Sequence, residues 1–148
     1  MKKLFYYIIL IISSISIISC ESRDYSGNIV GKYEFSETTT ISLLGETETT
    51  TTNGTFYVTR IGFNQVEIIG DWNGTAYTYS DNILSLDSEY FEETTTDGVK
   101  IQYEFHYTNG KYTTSSLSWE TSGYITGKYG SNIIEGTSKS KLIAIKTN

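Results

Sequence analysis

The chain of 148 residues has one cysteine, Cys20, one histidine, His106, and no proline. A lone cysteine has no disulfide partner within the chain, so packing alone must hold the core. A lone histidine leaves little material for nucleophilic catalysis, which needs an activated Ser or Cys with a base in reach. Basic residues are also few, 11 Lys and Arg against 17 Asp and Glu, for a net charge of −6. Phosphate backbones and anionic lipid surfaces repel such a chain, and nucleic acid is excluded as an expected partner. No window beyond Cys20 joins a period of 3.6 to good helix formers, so a helical core is excluded as well.

What the chain does have begins at its first residues. Lys2 and Lys3 precede an apolar run from Leu4 to Ile18, followed by Ser19-Cys20. A basic start, an apolar middle and a small residue before the cut make a secretory signal. The fifteen-residue run carries Ser13, Ser14 and Ser16, whereas crossing the hydrocarbon core takes about 20 apolar residues. With its cysteine placed after the small residue, the run resembles the bacterial lipobox. That resemblance implies a diacylglycerol on the Cys20 thiol and cleavage just before it. Residues 1–19 are then the signal peptide, 20–28 (through ESRDYSGN) a lipidated tether, and 29–148 one domain. The mature part keeps nine basic and 17 acidic residues, a net charge of −8. The expected location is the cell envelope, anchored by lipid, with the outer membrane favoured.

Thr, Ser, Tyr, Ile and Gly dominate this domain, and they are strand and turn formers. Turn signals recur at Gly45, Asn53-Gly54, Gly62–Asn64, Asn73-Gly74, Asp81-Asn82, Asp97-Gly98, Asn109-Gly110 and Gly130–Asn132. Asn-Gly and Asp-Gly accept the positive φ of tight hairpins, so each is expected to mark a reversal. Between them the residues alternate. Val99, Ile101, Tyr103, Phe105 and Tyr107 share one face of a strand, with Lys100, Gln102, Glu104 and His106 on the other. Val66, Ile68 and Trp72 share a face, as do Leu84 and Leu86. Ile143 and Ile145 oppose Leu142 and Ala144, which suggests a last strand covered on both sides. The Thr/Glu-rich stretches 37–52 and 89–97 read as exposed hairpins. About ten strands from Ile29 onward, joined by hairpins, predict an all-β antiparallel up-and-down barrel of about 8–10 strands, with a β-sandwich as the alternative.

The Gly31-Lys32-Tyr33 step, the consecutive hairpins, and the late pair Gly123-Tyr124-Ile125-Thr126-Gly127 and Ile133-Ile134-Glu135-Gly136 are similar to the lipocalin-like domains of small bacterial lipoproteins. That resemblance implies a closed antiparallel barrel and no established activity. Tyr33 stands where the lipocalin pattern prefers Trp, and its basic partner near the last strand is Lys139, Lys141 or Lys146.

The sequence singles out no catalytic residue, metal site or cofactor. His106 and Glu104 make only two ligands, fewer than zinc takes. Asp87, Glu89, Glu92, Glu93 and Asp97 lack the spacing of a calcium loop and read as a solvated face. Paired carboxylates for glycoside hydrolysis are the weakest alternative. The aromatic content remains. A barrel of about eight strands either holds one small ligand or is filled by its own side chains. The expectation is a non-enzymatic module binding a small apolar or amphipathic ligand through Tyr33, Val58, Ile68, Trp72, Tyr103 and Phe105. The alternative is a solid barrel that contacts an envelope protein or glycan, with Trp72 as the leading contact.

Overall fold

A computed structural model describes residues 23–96 and 98–147; the expected signal peptide, Cys20 and Asp97 lie outside the described residues. Nine antiparallel strands form one curled sheet, a half-barrel with the spatial order β5-β4-β3-β2-β1-β9-β8-β7-β6. The strands are β1 (Gly31–Leu43), β2 (Glu46–Gly62), β3 (Gln65–Gly70), β4 (Gly74–Thr78), β5 (Leu84–Leu86), β6 (Glu89–Thr94), β7 (Lys100–Tyr112), β8 (Ser116–Tyr129) and β9 (Asn132–Thr147). Each is hydrogen-bonded to its sequence neighbour except β5 with β6. The remaining pairing, β1 with β9, joins the two halves of the meander. The fold is all-β and up-and-down, as the period-two pattern predicts, with nine strands rather than ten.

The sheet curls far enough at one end for β5 to reach β7, where Ile83 bridges Lys111. The buried hydrophobic side chains collect at this closed end. Tyr33 and Phe35 from β1 meet Phe56 and Val58 from β2, Val66 and Ile68 from β3, Leu117 and Trp119 from β8, and Leu142 and Ala144 from β9. Phe56 is the hub, its ring 5.7 Å from Tyr33, 5.5 Å from Phe35 and 6.2 Å from Trp119. Because side chains alternate across a strand, the outer face of the same segments stays wet. Ile143 and Ile145 are 48% and 54% exposed, so the last strand is covered on one side only, contrary to the sequence reading.

Two of the expected reversals are not turns. Asn53-Gly54 lies within β2, where Gly54 faces Phe35 across the ladder. A Cβ there would stand 2.7 Å from the Phe35 ring, so this glycine makes room for an aromatic side chain. Asn109-Gly110 is a bulge in β7, with Asn109 at φ 54° and the register shifting between Thr108 and Lys111. A Cβ on Gly110 would stand 2.0 Å from the Leu84 carbonyl oxygen, which shows how closely β7 and β5 approach where the sheet closes. The true turns carry their expected chemistry, with Gly45, Asn64, Asp81, Asn82, Gly98 and Gly130 all at positive φ.

Within the segment 20–28, Asp24–Asn28 packs on the closed end. The Asp24 carboxylate accepts the Asn64 N–H at 3.0 Å and pairs with Arg60 at 2.5 Å, while Asn64 Oδ1 accepts the Tyr25 N–H at 2.6 Å. A 3-10 turn over Ser26–Ile29 follows, and it buries Ser26 and Ile29. The strands therefore begin at Gly31 rather than at Ile29. The Tyr33 hydroxyl donates to the Ile29 carbonyl at 2.9 Å.

Candidate functional site

The wall of the half-barrel is incomplete. β3 and β4 end at the turn Asp71–Asn73, while β1, β7, β8 and β9 run on well past it. Above that turn the concave face is open and holds a cleft of about 310 Å³.

Trp72 hangs from this turn and forms part of the cleft floor. The turn is tied down on both flanks. Asn73 Oδ1 accepts the Gly70 N–H at 3.1 Å and its Nδ2 donates to the Gly70 carbonyl at 3.0 Å. Asp71 Oδ2 accepts the Thr55 N–H at 2.8 Å, and the Asp71 N–H donates to the Thr55 carbonyl at 2.9 Å. Gly74 lets the indole fold over the turn, since a Cβ there would stand 2.6 Å from the ring. Trp72 then rests 4.8 Å from Trp119 and meets Tyr107 edge-on at 5.9 Å. Trp119 is 1% exposed, and its indole N–H finds no hydrogen-bond partner among the described residues.

The inward residues of β7 make one wall. Tyr107, Phe105 and Tyr103 line it in sequence, and Phe91 of β6 extends the stack, 4.6 Å from Tyr103 and 5.8 Å from Phe105. Gly123 on β8 leaves space for the Phe105 ring, because a Cβ would come within 2.5 Å of it. Thr121 of β8 lies beside Tyr107 across the ladder, and the lining continues through Ile125 of β8, Ser138 and Ser140 of β9 and Thr39 and Ile41 of β1, which mix hydroxyl and apolar groups. Glu37 and Glu89 complete the lining. Glu37 accepts the Ser140 hydroxyl at 2.5 Å. Burial pushes the Tyr107 hydroxyl well above the usual tyrosine range, and the Glu89 and Glu37 carboxylates push it further. Tyr103 is raised chiefly because its hydroxyl donates to Glu93, at 2.7 Å, an interaction lost on ionisation.

Of the residues expected to bind a ligand, Trp72, Tyr103 and Phe105 come together in this cleft. Tyr33, Val58 and Ile68 point to the same side of the sheet but lie in the filled core at the closed end, at most 1% exposed. Burial raises the Tyr33 hydroxyl to about 12. The sequence reading placed Glu89 on a solvated acidic face, whereas it is half-buried in the cleft lining, and it did not single out Glu37, Thr39, Thr121, Ser138 and Ser140. Parity within the long strands was the available signal: those on β1, β8 and β9 share a face with core residues, Phe35, Trp119 and Leu142 respectively, while β6 has no buried residue to mark Glu89. Cys20, the expected point of lipid attachment, lies outside the described residues.

His106 is on the convex face, its Nε2 3.0 Å from Glu104 and its Nδ1 3.2 Å from the Ser88 hydroxyl. Among the described residues no three His, Cys, Asp or Glu side chains gather closely enough to share a metal ion. No protein-family model matches the chain, and no curated protein matches it either.

Proposed function

We propose that this protein is a lipid-anchored, non-enzymatic binding module of the bacterial cell envelope that takes a small apolar or amphipathic ligand in the open half of a lipocalin-like barrel. One observation carries the reading. An aromatic-walled cleft of about 310 Å³ sits directly above a fully packed core, where the wall of the barrel stops short. Small-molecule sites are typically concave and mostly apolar, with a few placed polar groups, and this cleft has that make-up. The packed core beneath holds Trp72 and Tyr107 in position before any ligand arrives, which lowers the ordering cost of binding. Lys146 stands directly across the ladder from Tyr33, the position at which lipocalin-like barrels keep a basic residue beside the first-strand aromatic.

The full chain, titrated with an apolar fluorescent probe, should bind it with a change in tryptophan emission. A mass spectrum of the purified protein should show a co-purified small molecule. Ser138→Phe, which places a ring in the cleft, should abolish probe binding and leave the thermal midpoint within a few degrees. Unchanged binding by Ser138→Phe would count against this site. The alternative, a solid barrel that contacts an envelope protein or glycan, draws on the filled closed end and on Tyr57 and Tyr124, exposed on the convex face. It would gain if the wild-type chain bound no probe and carried nothing.

A further inference from the structure

We propose that the ligand of this cleft carries a cation, an amine or quaternary ammonium group, at its polar end; the inference rests on the cleft being the binding site. Strand parity sorts the charges of the open half by sign. The charged side chains lining the cleft are Glu37 and Glu89, and among the described residues no lysine, arginine or histidine lines it. On β9, inward Ser138 and Ser140 alternate with Lys139 and Lys141, which pair with Thr40 and Thr38 on the convex face of β1. A slip of one residue in β9 would turn two lysines into the cleft, so the register that buries Leu142 also keeps positive charge out. Lys100 likewise stays outside, 3.8 Å from Glu92.

The two carboxylates are half-buried and work on a common space. Glu37 comes from β1 and Glu89 from the start of β6, on opposite sides of the cleft, and both fields reach the Tyr107 hydroxyl. The hydrogen bond from Ser140 supplies a dipole to Glu37 but no counter-charge. A ligand ammonium would supply one. The faces of Trp72, Tyr103 and Phe105 favour the same ligand, because aromatic faces attract cations and their apolar area takes a hydrocarbon stem. An anionic ligand would meet like charge from both carboxylates and be disfavoured.

The test uses three phenylalkyl probes of equal chain length ending in trimethylammonium, hydroxyl or carboxylate. Each is titrated into the full chain and followed by tryptophan emission. The ammonium probe should bind about tenfold tighter than the alcohol, with the carboxylate weakest, and added salt should narrow the difference. Glu37→Gln combined with Glu89→Gln should bring the ammonium down to the affinity that the same variant shows for the alcohol, with the fold of the variant checked separately by its thermal midpoint. Ser140→Lys should expel the ammonium probe selectively. An alcohol that binds as tightly as the ammonium overturns the cation assignment and leaves the cleft standing as a site. Preference for the ammonium that survives the double substitution overturns the role of these carboxylates. If none of the three probes binds, both the inference and the reading beneath it fall.

Discussion

Phe56 touches more of the aromatic core than any other single ring described, stacking on Tyr33 and Phe35 and tilting against Trp119. Phe56→Ala should cost about 3–5 kcal/mol of stability, read as a fall in the urea midpoint with an unchanged slope. Asp24 acts at a different place and through charge. Its carboxyl is held at about 2 by the Ser26 hydroxyl first, then by the N–H groups of Ser26 and Asn64 and by Arg60, against an ordinary value of 3.8. A depressed carboxylate stabilises the fold fully above its unfolded pKa and loses that contribution as pH falls through the folded one. Asp24→Asn should therefore melt below wild type at neutral pH, and the gap should close between pH 3.8 and about 2. A gap that stays constant through that window would mean the carboxylate charge is not what pins the N-terminal segment. At this scale parity made Trp72, Tyr103 and Phe105 legible as inward residues. It could not separate them from Tyr33, Val58 and Ile68, which share the face but sit at the closed end. Height along the strand decides between core and cleft, and height depends on where the neighbouring strands stop.

Among the elements, the short strands do the most to shape the site. β3, β4 and β5 run six, five and three residues, whereas β1, β7, β8 and β9 run from 13 to 16. The difference leaves the gap above Trp72. It also leaves the upper half of β2 without a partner on its outer side, since β3 pairs only with Phe56–Gly62. That free edge is inward Glu46 and Glu48 and outward threonines, with hydroxyl pairs at Thr40–Thr49 (3.0 Å) and Ser42–Thr47 (3.0 Å) bracing the hairpin. Charges on an edge discourage pairing with other chains. The two misread Asn-Gly pairs show why element boundaries were harder to read than element type. The dipeptide permits a turn, but at Gly54 and Gly110 the missing side chain is needed for close approach instead. Gly110→Ala puts a methyl against the Leu84 carbonyl at the seam between β5 and β7. It should destabilise the fold by about 1–3 kcal/mol, and amide exchange should quicken first in Leu84–Leu86. Exchange that quickens uniformly over the sheet would show that the seam is no separate unit.

Across the whole molecule the two ends differ in kind. The closed end holds the core and receives Asp24–Ile29, while the cleft opens toward the far end of the same sheet. On the proposed anchor at Cys20, only residues 20–23 separate the lipid from docked Asp24, a reach of about 13 Å at full extension. Such a leash is short beside β1, whose 13 residues extend on the order of 40 Å. The closed end is then held near the headgroups and the cleft faces away from the bilayer, accessible to ligands in the aqueous phase rather than to lipids in the membrane beneath it. Fluorophores on Ser80→Cys, at the closed end, and on Glu46→Cys, at the tip of the β1–β2 hairpin, make this measurable in the lipidated protein on vesicles. A quencher carried on the lipid headgroups should dim the label at position 80 strongly and the label at position 46 hardly at all. Equal dimming would mean that the docked segment does not orient the sheet, and stronger dimming at the hairpin tip would turn the cleft toward the membrane.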